Sequence, residues 1–110
     1  MIKFGINHRL YKLVAASSQE TDDYIPANGE EIVVVNAGGD SSNTPDSSVC
    51  IVWDPGGAQQ EIILSTYRDA KHHNISKVFT GDGTRVLRIQ LANDLNEATY
   101  LGGFVQGEIL

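Results

Sequence analysis

The chain has 110 residues, which fits one domain and leaves little room for a second. Its 14 acidic side chains outnumber 8 basic ones, for a net charge of −6, and that balance argues against a nucleic-acid partner, whose phosphates call for a basic face. A single cysteine, Cys50, excludes an intrachain disulfide, and apolar runs of about five residues are too short for a membrane helix.

No stretch shows helical periodicity; short apolar runs alternate with turn residues. Residues 1–9 lack turn signals and are expected as an N-terminal arm, followed by one domain over 10–110. They also lack the apolar segment of a secretory signal. Leu10–Ala15 reads as a first strand. Tyr24-Ile25-Pro26 is a short extended piece, because the residue before proline is pushed toward β. Asn28-Gly29 is a turn, since both residues tolerate positive φ. Glu31–Asn36 follows as a β-branched strand. Ala37 to Ser48, rich in Gly, Ser, Asn and Asp, reads as an exposed loop.

Val49–Trp53 is apolar on both faces and is expected in the centre of a sheet. Asp54-Pro55-Gly56-Gly57 ends it. Glu61–Tyr67 is the next strand. Arg68–Asn74 is ambiguous, with a helical turn as one option. Ile75–Phe79 resumes a strand, and Thr80–Thr84 reads as a hairpin turn. Arg85–Leu91 alternates most cleanly, with Leu87, Ile89 and Leu91 facing the core. Asn93–Glu97 is a turn, and Thr99–Val105 is the last strand. Its Gly102-Gly103 pair implies a bulge or a close backbone approach. Strands at this spacing point to an all-β, single-domain antiparallel β-sandwich, jelly-roll-like, with about seven to eight strands.

Catalytic signals are missing. His72 and His73 are adjacent and would point to opposite faces of a strand, so they do not pair as ligands. The acidic segments at Asp40–Asp46 and Asp82 do not match a calcium loop. Gly81-Asp82-Gly83 lacks the following helix of a phosphate loop, and no nucleophile elbow occurs. Cys50 lies inside an apolar run and reads as a small hydrophobe. The expectation is therefore no enzyme, no metal and no cofactor. Trp53, Tyr67, Tyr100 and Asp54 are the candidate contacts for a ligand or partner. Arg68, Lys71, His72, His73, Lys77, Arg85 and Arg88 form the one locally basic stretch.

The segment from Thr21 to Asn36, with Tyr24, Pro26, Ala27, Asn28 and Gly29 at its centre, resembles a recurrent opening in small β-rich structural proteins of tailed bacteriophages. Val49–Trp53 continues the similarity, so it spans residues 21–53. The resemblance implies a non-enzymatic virion component, a head decoration or tail-associated subunit. Such a subunit would assemble in the host cytoplasm. It would bind copies of itself, as a trimer or larger ring, and other virion proteins, without nucleic acid or membrane. The alternative is a carbohydrate-binding, lectin-like module, with or without calcium. There Trp53, Tyr67 and Tyr100 would stack on sugar, and Asp40, Asp46 and Asp54 would be polar partners.

Overall fold

The computed structural model describes residues 4–41 and 46–110. Eight strands form among them: β1 (Phe4–Val14), β2 (Ser18–Tyr24), β3 (Glu31–Asp40), β4 (Ser47–Trp53), β5 (Glu61–Tyr67), β6 (Ala70–Thr80), β7 (Leu87–Asn93) and β8 (Thr99–Ile109). They make two four-stranded antiparallel sheets, ordered β1-β8-β3-β6 and β2-β7-β4-β5. Every connection crosses between the sheets except β4–β5, which is the jelly-roll arrangement. The expected sandwich is thus the observed fold.

The core follows the strand period of two. Leu87, Ile89 and Leu91 on β7 are fully buried, as are Val49 and Ile51 on β4. They face Ile32, Val34 and Ala37 of β3, and Val105 of β8, across the two layers. β4 lies between β7 and β5, the central place its doubly apolar sequence implies. Trp53 is 1% exposed and stacks on Phe79, with ring centroids 4.9 Å apart.

Two glycine pairs set the spacing of the layers. Gly39 and Gly103 are cross-strand partners on β3 and β8. A Cβ on Gly103 would sit 2.9 Å from a methyl of Val49, and one on Gly39 would sit 3.0 Å from methyls of Val49 and Leu64. Both are tighter than ordinary packing allows, so bare backbone is what lets β4 and β5 close onto the opposite sheet. The register is unbroken at Gly102-Gly103; the bulge lies between Val34 and Asn36 instead. Close approach is therefore the reason for this glycine pair.

Asn93 ties one end of the sandwich together. It is fully buried. Its Nδ2 donates toward the carbonyls of Val14 (3.1 Å), Ala15 (3.2 Å) and Glu97 (2.9 Å), and its Oδ1 accepts from Leu95 N at 2.9 Å. One side chain thus fixes the β1–β2 and β7–β8 connections.

Several expectations need correction. Phe4–Arg9, expected as an arm, are the first half of β1 and pair with Phe104–Ile109; residues 1–3 lie outside the described residues. Ala37–Asp40, expected in a loop, are the end of β3, and Ala37, Gly38 and Gly39 are buried. The rest of that loop includes residues 42–45, which lie outside the described residues. Arg68 to Asn74 is not helical. Arg68, at φ 61°, and Asp69 turn the chain from one sheet to the other, and β6 begins at Ala70. Residues 81–86 join β6 to β7 in different sheets, so this is a crossover and not a hairpin. Asp82 caps it, its Oδ1 accepting from Arg85 N, Thr84 N and Thr84 Oγ1 at 2.7–2.9 Å.

Replacing Asn93 with Ala should cost about 2–4 kcal/mol, because it leaves buried carbonyls and an N–H without partners. Urea unfolding should show a lower midpoint with an unchanged slope.

Candidate functional site

The two outer sheet faces differ in chemistry. On the β2-β7-β4-β5 sheet, the outward cross-strand rows are Gln19–Ala92–Ser48–Tyr67, Thr21–Gln90–Cys50–Ser65 and Asp23–Arg88–Val52–Ile62. Most of these side chains are polar, and Arg88 grips Asp23 at 2.8 and 3.0 Å. Cys50 is half-buried, and that burial pushes its thiol up, away from the reactive thiolate.

The outer face of the β1-β8-β3-β6 sheet is aromatic. Its rows are Leu13–Tyr100, then Tyr11–Gly102–Asp40–Ala70, then Arg9–Phe104–Gly38–His72. The rings lie across the sheet because the neighbouring strand offers glycine. The Tyr11 ring occupies the space a Cβ on Gly102 would take, and the Phe104 ring does the same over Gly38. Each glycine pair therefore has two uses, the inner member for the core and the outer member as a seat for a ring. The Arg9 guanidinium sits 5.5 Å from the centre of the Tyr11 ring, and His72 lies 5.9 Å from Phe104.

This face stays open. Tyr11 is 54% exposed, Leu13 49% and Tyr100 75%. A cleft of about 290 Å³ opens there, lined by Tyr11, Lys12, Asp40, Tyr100, Leu101 and Gly102. Lys12 is paired with Glu20 at 3.2 Å.

The four sequence candidates do not converge. Tyr100 lines the cleft. Trp53 does not reach the surface, because it fills the core against Phe79. Tyr67 is exposed near the same end, but on the other sheet; its hydroxyl donates to Asp46 Oδ1 at 2.9 Å, and Arg68 covers its ring. Asp54 is at the opposite end, where it accepts from Gln59 N at 2.9 Å and lies 3.7 Å from Arg85. Asp40 was a sequence candidate and does line the cleft. Tyr11 was missed. Its partner Gly102 lies at the other end of the chain, and only the β1–β8 register brings them together. Among the described residues, no three His, Cys, Asp or Glu side chains gather into a metal-binding group.

No protein-family model matches the chain, and no curated protein matches it.

The carboxylates with displaced titrations serve structure. Asp82 is held at about 2 by the N–H groups of Arg85 and Thr84. Asp23 is lowered by its hydrogen bonds from Arg88, and Asp46 by those from Tyr67 and Arg68. A carboxyl lowered on folding binds its proton more readily in the unfolded chain, so it stabilises the fold above the ordinary carboxylate range. That contribution fades as pH falls from near 4 toward 2. Melting temperature measured against pH should drop over this window, and Asp82→Asn should flatten the drop.

Proposed function

We propose that the chain is a non-enzymatic structural subunit of a phage-like particle that works by symmetric self-assembly and protein–protein contact. The similarity over residues 21–53 supports the particle; those residues include the end of β2, all of β3 and all of β4.

The observation that carries self-assembly is the contrast between two edge strands, β2 and β6, on opposite sides of the sandwich; β1, which runs beside β2, carries His8, Arg9 and Lys12, so the acidic character belongs to β2 itself. On one side runs β2, with the sequence Ser18-Gln19-Glu20-Thr21-Asp22-Asp23-Tyr24, which holds three acids and no base. On the other runs β6, with Lys71, His72, His73 and Lys77 and no acid. Both are edge strands. Glu20 and Asp23 are paired with Lys12 and Arg88, and Lys71 and Lys77 with Asp69 and Glu61. The three lysine pairs are exposed and exchange partners at little cost, while the two-bonded Arg88–Asp23 pair stays in place. An acidic edge meeting a basic edge on the next copy is a head-to-tail contact, which closes a ring when the rotation fits. Edge strands also leave backbone donors and acceptors ready for such a neighbour. Ile62 and Val78, both exposed, flank the β5/β6 side and add apolar area to the contact.

Light scattering at micromolar concentration should show one closed oligomer, a trimer or larger ring. Molar salt, where screening acts within about 3 Å, should dissociate it. Lys71→Glu with Lys77→Glu should give a monomer, and mixing that variant with one carrying Glu20→Lys and Asp22→Lys should restore association. A wild-type chain that stays strictly monomeric overturns this reading. Presence of the chain in purified particles tests the virion assignment separately.

A further inference from the structure

The chain holds seven asparagines, and Asn28 alone is followed by glycine. The carboxamide carbon of an asparagine is an electrophile within reach of the next residue's peptide nitrogen, and glycine leaves that nitrogen least hindered. The other asparagines are worse placed. Asn7, Asn36 and Asn74 lie within β1, β3 and β6, where the ladders fix the backbone. Asn93 is buried with its carboxamide fully engaged. Asn96 is exposed, but Glu97 follows it; Asn43 lies outside the described residues. Asn28 is exposed in the β2–β3 loop, and its carboxamide has no hydrogen-bond partner among the described residues.

The loop is clasped. Glu30 N donates to Ala27 O at 3.0 Å and Gly29 has φ 80°, so residues 27–30 form a type II turn. Gly29 N, the atom that would attack Asn28, donates to Gly81 O at 2.8 Å. Gly81 N donates in turn to Glu30 O at 2.8 Å, and Glu30 Oε1 accepts from Ala27 N at 3.3 Å. A Cβ on Gly81 would sit 2.6 Å from both Ala27 O and Pro26 Cβ, so the β6–β7 crossover presses on the turn. The nitrogen is therefore occupied while the clasp is shut and free once it opens. A surface loop of this kind opens at far lower cost than the whole domain.

We propose that Asn28 is a spontaneous modification site whose reaction with water is gated by the Gly29–Gly81 clasp. When the clasp opens, Gly29 N gives up its proton and bonds to Asn28 Cγ. The Cγ–Nδ2 bond breaks, and the side-chain nitrogen takes a proton and leaves as ammonia. The product is a five-membered succinimide. Water then adds to one of its two carbonyls and breaks that carbon's bond to Gly29 N. Opening at Cγ leaves aspartate, and opening at the backbone carbonyl leaves isoaspartate. The net change is water in and ammonia out, with no oxidation. Isoaspartate routes the main chain through Cβ and Cγ, which lengthens the turn by one atom and carries Gly29 N away from Gly81 O. Both products add a negative charge beside Gly83, where a Cβ would lie 3.8 Å from Asn28 Cβ, in the crossover that already holds the ionised carboxylate of Asp82. The conversion is one-way and loosens the β2–β3 loop and the β6–β7 crossover together. It belongs to a single copy and does not rest on self-assembly.

The test is to age the wild-type chain in mildly alkaline buffer, folded and in unfolding urea, and to follow each asparagine by peptide mapping with an isoaspartate-specific label. In the folded chain Asn28 should convert first, with a gain of about one mass unit. In urea its conversion should run about tenfold or more faster, because the bonds that occupy Gly29 N and Gly81 N are gone. Glu30→Ala, which frees Ala27 N without touching the core, should raise the folded-state rate about twofold or more. Asn28→Gln should block the reaction, since its longer side chain closes a less favourable ring, and should melt near the wild-type temperature. The aged chain, separated by its added charge on an ion-exchange column, should melt below the wild type. Another asparagine converting before Asn28 in the folded chain overturns the proposal. So does a folded chain that never converts at Asn28, or one that converts as fast as in urea. An aged chain that melts with the wild type overturns the loosening.

Discussion

The distance between the two sheets is set where Gly39 and Gly103 face Val49, Ile89 and Leu64. Side chains at those two positions would hold the layers apart, and the Leu87, Ile89 and Leu91 row would lose its contacts across the gap. Close packing of β-branched and leucine side chains is the main favourable term in a domain of this size. The glycines cost chain entropy in the middle of strands, and the contact they permit offsets that cost. The same two dipeptides supply the outward glycines that seat Tyr11 and Phe104. One sequence device therefore governs both the interior and the aromatic surface.

The polar network at the ends follows from the crossovers. Seven connections must leave one layer and enter the other or turn back, and each exposes backbone groups that need partners. Asn93 supplies them at one end for two connections at once. Asp82 supplies them at the other end for the β6–β7 crossover. The two long sides are closed differently. His8 Nε2 lies 2.9 Å from the Asp22 carbonyl at the β1/β2 side, and Lys71 donates to the Ser65 carbonyl at the β5/β6 side. These contacts seal the core and leave the acidic β2 and the basic β6 at opposite edges.

The sequence is most legible where both neighbours of a strand are present. β7, between β2 and β4, alternates because its inner face meets the core and its outer face meets water. Edge strands are less legible. β2 is hydrophilic at nearly every position, because its inner face looks over the rim of the other sheet. β6 opens with Ala70-Lys71-His72-His73-Asn74, residues without strand preference, held in place by pairing with β3. Gly38-Gly39 reads as loop because glycine has poor strand propensity, yet here its lack of a side chain is the requirement. Tyr100 and Asp40 stand out as surface candidates by residue type alone. Tyr11 does not, since its role exists only after the first and last strands are paired. Trp53 shows the opposite case: a residue suited to stacking on a ligand spends its ring on Phe79.

Phe4 lies across from Ile109 in the β1–β8 ladder, so both ends of the described chain leave the barrel-like body at one pole. Tyr100 and Asp40 stand at the other pole, along a molecule 44 Å in its longest dimension. A tether, label or fused domain joined at either end would therefore hang behind the sandwich and leave the aromatic tip unobstructed.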